Sequence, residues 1–350
     1  MDDSRLPAQS GAHHVQQSRA NRLVLIDGNA ILHRAYHALP PLTAPDGSLV
    51  NAVYGFTSML LKIVHDLAPT HLAVAFDRPK PTFRKQLFAG YQAKRPKMDE
   101  DLTSQIAKVH DVVAAFGIPA YEVDGYEADD VLATITSQCQ MPNAKCQIDQ
   151  VIIVTGDRDI LQLVVDEKVF VYMPTKGLSE AKLYGEKEVM ERMGVPPKQI
   201  PDFKALAGDA SDNYPGVNGI GPKTAQGLLK AFRSIEELYQ AIHKKDGRAK
   251  TLPETVLTKL AHGAEDAVLS KDLATIRTDV PMPVDLAETK LKTLDTPEAR
   301  KALEDLHFPS LLKRLGGSAP EAFTEKKRPH GFRESKTETR QTENEQQQLF

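Results

Sequence analysis

The chain has 350 residues, 41% of them hydrophobic and 26% charged, with a formal net charge of -3. That length allows two domains with separate cores, and the composition is that of an ordinary soluble globular protein. It excludes a membrane span, since no apolar run approaches ~18 residues, and a disulfide scaffold, since Cys139 and Cys146 are the only cysteines and read as two reduced thiols of a cytoplasmic protein.

Residues 1–21, opening "MDDSRLPAQSGAHHVQQSRA", lack the apolar core of a secretory signal and read as a disordered extension. Four β-rich runs follow, separated by longer helical patterns: "RLVLI" before Asp27, "HLAVAF" before Asp77, "IPAYEV" before "GYEADDVLATI", and "QVIIVTG" before Asp157 and Asp159. This alternation predicts an α/β domain, a central, mostly parallel sheet flanked by helices. Each run delivers acid as it ends. A lone Asp after a strand is usually a turn former, and acids in a first helical turn are favoured by the helix dipole. Four strands ending alike go beyond both. The carboxyl ends of parallel strands share one edge of the sheet, so Asp27, Asp77, Glu127, Asp129, Asp130, Asp157 and Asp159 converge there. Two carboxylates ~4 Å apart cost roughly 4 kcal/mol at an effective dielectric of 20, so the cluster calls for protons or cations. An all-oxygen donor set favours Mg²⁺ or Mn²⁺ over zinc, and a pair of such ions suits in-line displacement at phosphorus.

Between the second and third runs, Arg78, Lys80, Arg84, Lys85, Lys94, Arg95 and Lys97 stand in one stretch with no acid among them. Such a run is usually a solvated face; here it follows Asp77 directly and would stand over the acidic edge. Further on, "LAGDASDNYPGVNGIGPKTA" adds Asp209 and Asp212 and runs into a glycine-rich turn before a helical pattern. Gly216, Gly219, Gly221 and Lys223 suggest a helix-hairpin-helix, whose backbone N–H groups hold DNA phosphates without reading sequence. From Gly316 the composition turns polar and poor in aliphatic residues, the mark of a disordered tail at 316–350.

In "LIDGNAILHRAYHAL", "NAVYGF", "AFDRPKPTFR", "GYEADDVLA", "TGDRDILQLV", "GDASDNYPGVNGIGPKTA", "IRTDVP" and "FPSLLKRLG" the chain resembles the 5′-nuclease family. That family comprises the 5′→3′ exonuclease domain of bacterial DNA polymerase I, its stand-alone bacterial and phage relatives, and more distantly the flap endonucleases. The resemblance implies a PIN-like catalytic domain over 22–195 with a helical arch near 78–100, then a helical DNA-binding domain over 196–315. By the same resemblance Asp27, Asp77 and Asp129 serve a first Mg²⁺, with Glu127 close by through water. Asp130, Asp157, Asp159 and Asp212 serve a second, and Asp209 lies on its outer side. Arg34 and Arg84 match residues that contact the scissile phosphate, and Tyr91 matches an aromatic that stacks on a base. Gln92 departs from the family, which usually has an active-site lysine there; Lys94 or Arg95, from the next turn, is expected to supply the charge, Lys94 being assigned to catalysis and Arg95 to DNA binding. The family also allows K⁺ on hairpin carbonyls near Val217 and Ile220.

The implied activity is hydrolysis of DNA or RNA-primer phosphodiesters at 5′ ends or flap junctions, in primer removal and repair, by a monomer at the nucleoid. The terminal Gln346, Gln347, Gln348, Leu349 and Phe350 resemble the peptides with which bacterial replication proteins dock in the sliding clamp. The alternative from another class is a non-catalytic DNA-binding or clamp-associated scaffold, favoured by Gln92 and opposed by nine retained acids. A small PIN-type ribonuclease is the third, opposed by the basic stretch and the hairpin.

Overall fold

The computed structural model describes residues 20–141, 147–177 and 180–316. Its strands are β1 (Arg22–Asp27), β2 (His71–Ala75), β3 (Ala120–Tyr121), β4 (Gln150–Val154), β5 (Val169–Lys176) and β6 (Glu180–Tyr184). They pair in the order β3-β2-β1-β4-β5-β6. All neighbours are parallel except the antiparallel pair β5 and β6. The first ten helices are α1 (Gly28–Ala38), α2 (Asn51–Leu67), α3 (Phe83–Leu87), α4 (Glu100–Thr103), α5 (Ile106–Ala115), α6 (Ala128–Cys139), α7 (Glu186–Met193), α8 (Ile200–Ala207), α9 (Pro222–Ala231) and α10 (Ile235–His243). The remainder are α11 (Gly247–Lys250), α12 (Glu254–His262), α13 (Ala264–Ala274), α14 (Pro297–Asp305) and α15 (Pro309–Leu315).

Strand β1 is central and buried from Leu23 to Asp27, as expected for an apolar strand of a parallel sheet covered on both faces. Successive residues point to opposite faces, so the run divides between two cores. Val24 and Ile26 join Phe56 and Leu60 of α2 and Val112 of α5 on one side. Leu23 and Leu25 join Val131, Leu132 and Ile135 of α6 on the other, and this second core continues into Leu206, Leu228 and Phe232 of the helical half. The helical half ends earlier than the expected 315: Leu303 of α14 and Leu311 of α15 pack into the first core, with α2 and α5. Their apolar residues complete the α/β layer rather than the hairpin domain.

The stretch at 78–100 also differs from the expected helical arch. Only α3 is helical before α4; the residues between them form turns, folded down by hydrogen bonds such as Gln92 N–H to the Asp212 carbonyl at 2.8 Å. A five-residue helix is too short to stand without tertiary support, which Gly125 and Asn213 provide through bonds to Phe83 N–H and the Gly90 carbonyl. Among the described residues no helix is long and apolar enough to cross a membrane.

Candidate metal centre and nucleic-acid interface

Strands β3, β2, β1 and β4 lie side by side and parallel, so their carboxyl ends form one row. After β1 the chain winds outward to β2 and β3, then returns to β4 on the other side. The crevice at such a reversal is the usual ligand position in open α/β sheets. Here it is a cleft of about 990 Å³ lined by Asp27, Asp77, Glu127, Asp129, Asp157, Asp159 and Asp212, together with His33, Arg84, Tyr91, Gln92 and Arg95.

Most of the acids are held by neighbouring elements of the row. Asp27 caps α1, its Oδ1 accepting from Ala30 N–H at 2.9 Å, while its Oδ2 accepts from the Thr155 hydroxyl at 2.7 Å. Asp77 Oδ1 accepts from Ala128 N–H at 2.7 Å, and its own N–H donates to Asn29 Oδ1 at 3.0 Å. Thr155 and Asn29 thus set two of the acids, and sequence reasoning passed over both; the signal was their place within one or two residues of Asp27 and Asp157. At the head of α6, Glu127 and Asp130 form a capping box. Asp129 takes no part in it and accepts no hydrogen bond from the described residues.

The charge in this row is under strain. Burial raises Asp27 to about 7, against the Ala30 bond and with the Asp77 charge adding to the rise. Burial likewise raises Glu127 to about 7 although Arg84 opposes it, and Asp159 to about 7 although Lys204 opposes it. Asp129 is pushed well up by burial and by the charges of Asp157, Asp27, Glu127 and Asp77. Asp77 and Asp212 are raised chiefly by burial too. Asp209 moves the other way: burial works against it, but Lys204 and Ser211 hold it low. One oxygen each from Asp159, Asp209 and Asp212 lies within 4.8 Å of the others.

Several expected roles are redistributed. Arg84 is 2% exposed and buried against Asp130, with Nη1 and Nη2 donating to its two oxygens at 2.7 and 2.8 Å. Its Nε donates to the Leu273 carbonyl and its Nη2 also to that of Thr275. Asp130 accepts in addition from the N–H groups of Glu127 and Arg277. The pair therefore satisfies itself: Asp130 has no oxygen left for a second ion, and Arg84 is a tether rather than an open phosphate contact. Asp209, expected on the outer side of the second ion, does not line the cleft but belongs to the trio with Asp159 and Asp212. Tyr91 is 4% exposed, packed with Tyr214, Leu273 and Ala274, and donates to Glu127 at 3.2 Å, so it presents no open face for stacking. Arg34 turns to the Gly177 carbonyl at 2.9 Å. Neither Arg34 nor Lys94 lines the cleft, whereas Arg95 does, with Nη2 2.6 Å from Asp212 Oδ1. Arg78 and Lys80 also line the cleft and are paired with Asp124 at its rim.

The hairpin lies between α8 and α9, with Gly221 as the N-cap of α9 and Pro222 at its first turn. Gly216 needs its glycine: φ is +61°, and a Cβ there would sit 2.2 Å from the Gly208 nitrogen. Gly219 has φ +78°, and its carbonyl accepts from Lys259 Nζ at 2.9 Å, while the Val217 carbonyl accepts from Ile220 N–H. Two of the hairpin carbonyls near the expected K⁺ position therefore already have donors. Gly221 and Lys223 are exposed. Gln346, Leu349 and Phe350 lie outside the described residues.

Residues 22–194 match the family described as the 5′-3′ exonuclease N-terminal resolvase-like domain, and residues 195–297 match the 5′-3′ exonuclease C-terminal SAM fold. DNA polymerase I of Bacillus subtilis is 39% identical over 301 residues, covering 86% of this chain and 33% of that protein. The enzyme of Caldicellulosiruptor bescii is 40% identical over 296 residues, covering 84% and 33%. The chain thus spans about a third of the length of these curated relatives. Among solved structures, the bacteriophage T5 flap endonuclease, in a pseudo-enzyme-product complex with DNA and metal ions, aligns with a TM-score of 0.59 at 19% identity, over 84% of this chain and 97% of its own. The catalytic core of Rad2 in complex with DNA substrate aligns at 0.52 and 15%, over 85% and 93%. At these identities the likeness is one of fold. With both parts of the chain matched and the acidic row where the sheet reverses, this protein belongs to the 5′-3′ exonuclease family.

Proposed function

We propose that this protein is a divalent-metal-dependent, structure-specific 5′ nuclease that hydrolyses phosphodiesters near 5′ ends or flap junctions. The observation that carries this is the row of carboxylates raised by burial and mutual repulsion at the ends of four adjacent strands. An all-oxygen donor set in which Asp129 accepts no hydrogen bond fits Mg²⁺, with Mn²⁺ as a substitute. Asp27, Asp77, Asp129 and Asp157 would hold one ion, and Asp159, Asp209 and Asp212 a second. Such ions, when bound, supply a nucleophile at neutral pH and stabilise charge on the phosphoryl oxygens.

The chain's own residues account for the rest. Asn29 anchors the backbone at Asp77, and Thr155 orients the Asp27 carboxylate. Arg95 is the cation of the basic stretch that reaches the acids from the open side, and it takes the task that Gln92, lacking charge, cannot perform. The turn at 89–95 lines the cleft through Tyr91, Gln92 and Arg95, while the hairpin offers Lys223 and the N-terminus of α9 to duplex phosphates. Support for DNA as the substrate comes from family membership and this basic cover. Primer removal and repair in the cytoplasm, at the nucleoid, are the corresponding roles. For the terminal QQQLF we propose a sliding clamp as partner; deleting Gln346 to Phe350 should abolish clamp retention in a pull-down, and unchanged retention would refute it.

The decisive experiment incubates a 5′-labelled flap duplex with the protein in Mg²⁺, in EDTA, and as Asp157→Asn. Junction cleavage in Mg²⁺ alone, reduced at least about 10²-fold by the variant as for loss of a transition-state charge contact, is expected. Tight binding without cleavage would instead favour the DNA-binding scaffold, the reading to which Gln92 lends weight.

A further inference from the structure

Lys204 was not singled out by the sequence, yet it pairs with two carboxylates of the acidic trio. It lies on α8, is 8% exposed, and its ammonium bonds to both Asp159 and Asp209. Those carboxylates belong to the trio, with Asp212, that could share one cation. Asp159 comes from the 3-10 turn after β4 and Lys204 from α8, so the contact joins the catalytic sheet to the hairpin half. The other acids have no such partner: among the described residues no ion pair reaches Asp27, Asp77, Asp129 or Asp157.

An ammonium and a divalent ion compete for the same oxygen lone pairs, and two cations a few ångströms apart repel. Lys204 has a flexible four-carbon stem and can withdraw without unfolding the helix that carries it. We propose that Lys204 is a built-in counter-cation which a divalent ion must displace to load at Asp159, Asp209 and Asp212. The two halves of the cleft then fill unequally. The half at Asp27, Asp77, Asp129 and Asp157 binds tightly because an ion relieves repulsion there; the other half binds weakly because an ion must first break the Lys204 pairs with Asp159 and Asp209, next to Arg95 on Asp212. This inference rests on the metal-centre assignment proposed above.

Mn²⁺ titration of the full chain, followed by the electron spin resonance of the free ion, separates the possibilities. The native protein is expected to show a tight and a weak class of site. Lys204→Met should strengthen the weak class at least about tenfold, given the size of a neighbouring charge, and leave the tight class within about twofold; Lys204→Arg should keep it weak. Identical titrations for Lys204→Met and the native protein would overturn the proposal while leaving the metal centre standing. No Mn²⁺ binding by the native protein would overturn both. If Lys204→Met fails to fold, amine acylation of the native protein read by peptide mass spectrometry decides: Lys204 should be protected in EDTA and several-fold more reactive in saturating Mn²⁺. Unchanged reactivity would refute displacement.

Discussion

Asp129 and Arg95 show how single side chains divide the work of the site. Asp129 accepts no hydrogen bond from the described residues and is raised by burial and by four neighbouring acids, so its charge costs the fold free energy that only a cation returns. Asp129→Asn should therefore raise Tm in EDTA by several degrees, on the scale of about 2–4 °C per kcal/mol for a chain of this class, while removing most of the stabilisation that Mg²⁺ gives the native protein. Calorimetry with and without Mg²⁺ checks both; a lowered Tm in EDTA would contradict the repulsion argument. Arg95, beside Asp212 at 2.6 Å, is expected to act on the transition state. Arg95→Ala should lower kcat by about 10²–10³, and adding Gln92→Lys should recover part of the loss in single-turnover cleavage. Gln92 has φ +53°, a backbone that a lysine adopts no more easily, so the rescue is expected to be partial. Lys94, which the family resemblance offered as the catalytic cation, does not line the cleft, and its replacement by Ala should leave kcat within about twofold.

At the scale of elements, the short helix α3 is anchored chiefly through Arg84, alongside the Phe83–Gly125 backbone bond. Arg84 joins α3 to Asp130 on α6 and to the last carbonyls around the end of α13. A buried, bidentate pair with every donor used is costly to break from one side only, by ~3–5 kcal/mol, since the remaining charge stays buried alone. Arg84→Met should lower Tm and expose the stretch 83–95 to proteolysis, and Arg84→Met with Asp130→Leu should recover much of the stability. Recovery of Tm without recovery of cleavage would mark the tether as part of the site's geometry; failure of the double variant to recover Tm would show that the pair itself carries the fold there. The basic stretch exposes its cations apart from Arg84, yet it is not free of partners. Most of its cations meet an acid of the row or Asp124, which is what draws the chain down over the cleft.

For the whole molecule the acidic row sets the dependence on pH. Asp27, Glu127 and Asp159 hold their protons up to about 7, far above their ordinary range near 4. Between those values these three groups bind more protons in the folded chain than in the unfolded one, so their contribution to stability is full below about pH 4 and is lost as pH rises towards 7. Exposed groups such as Asp124 are shifted down and act in the opposite sense, but solvent screens them and their share is small. Urea unfolding in EDTA should therefore give a lower midpoint at pH 7.5 than at pH 5, and saturating Mg²⁺ should flatten that slope. A midpoint that rises with pH in EDTA would contradict the assigned strain.

Local pattern by itself determined four of the six strands, their acidic ends and the hairpin, and missed β5 and β6. Alternation of β-rich and helical runs reports burial on two faces, and Gly216 with φ +61° is a position only glycine fills easily. Pattern also placed Asp27, Asp77, Glu127, Asp129 and Asp157 on one edge, since parallel strands leave no other arrangement. Only the tertiary structure decided which charges meet. Arg84 and Asp130 stand 46 positions apart, and Lys204 and Asp159 stand 45 apart. In sequence Arg84 is one base in a basic run and Lys204 one lysine in a helix. Whether such a side chain faces water or a buried carboxylate depends on how elements far apart in the chain pack, and a short-range pattern carries no information about that packing.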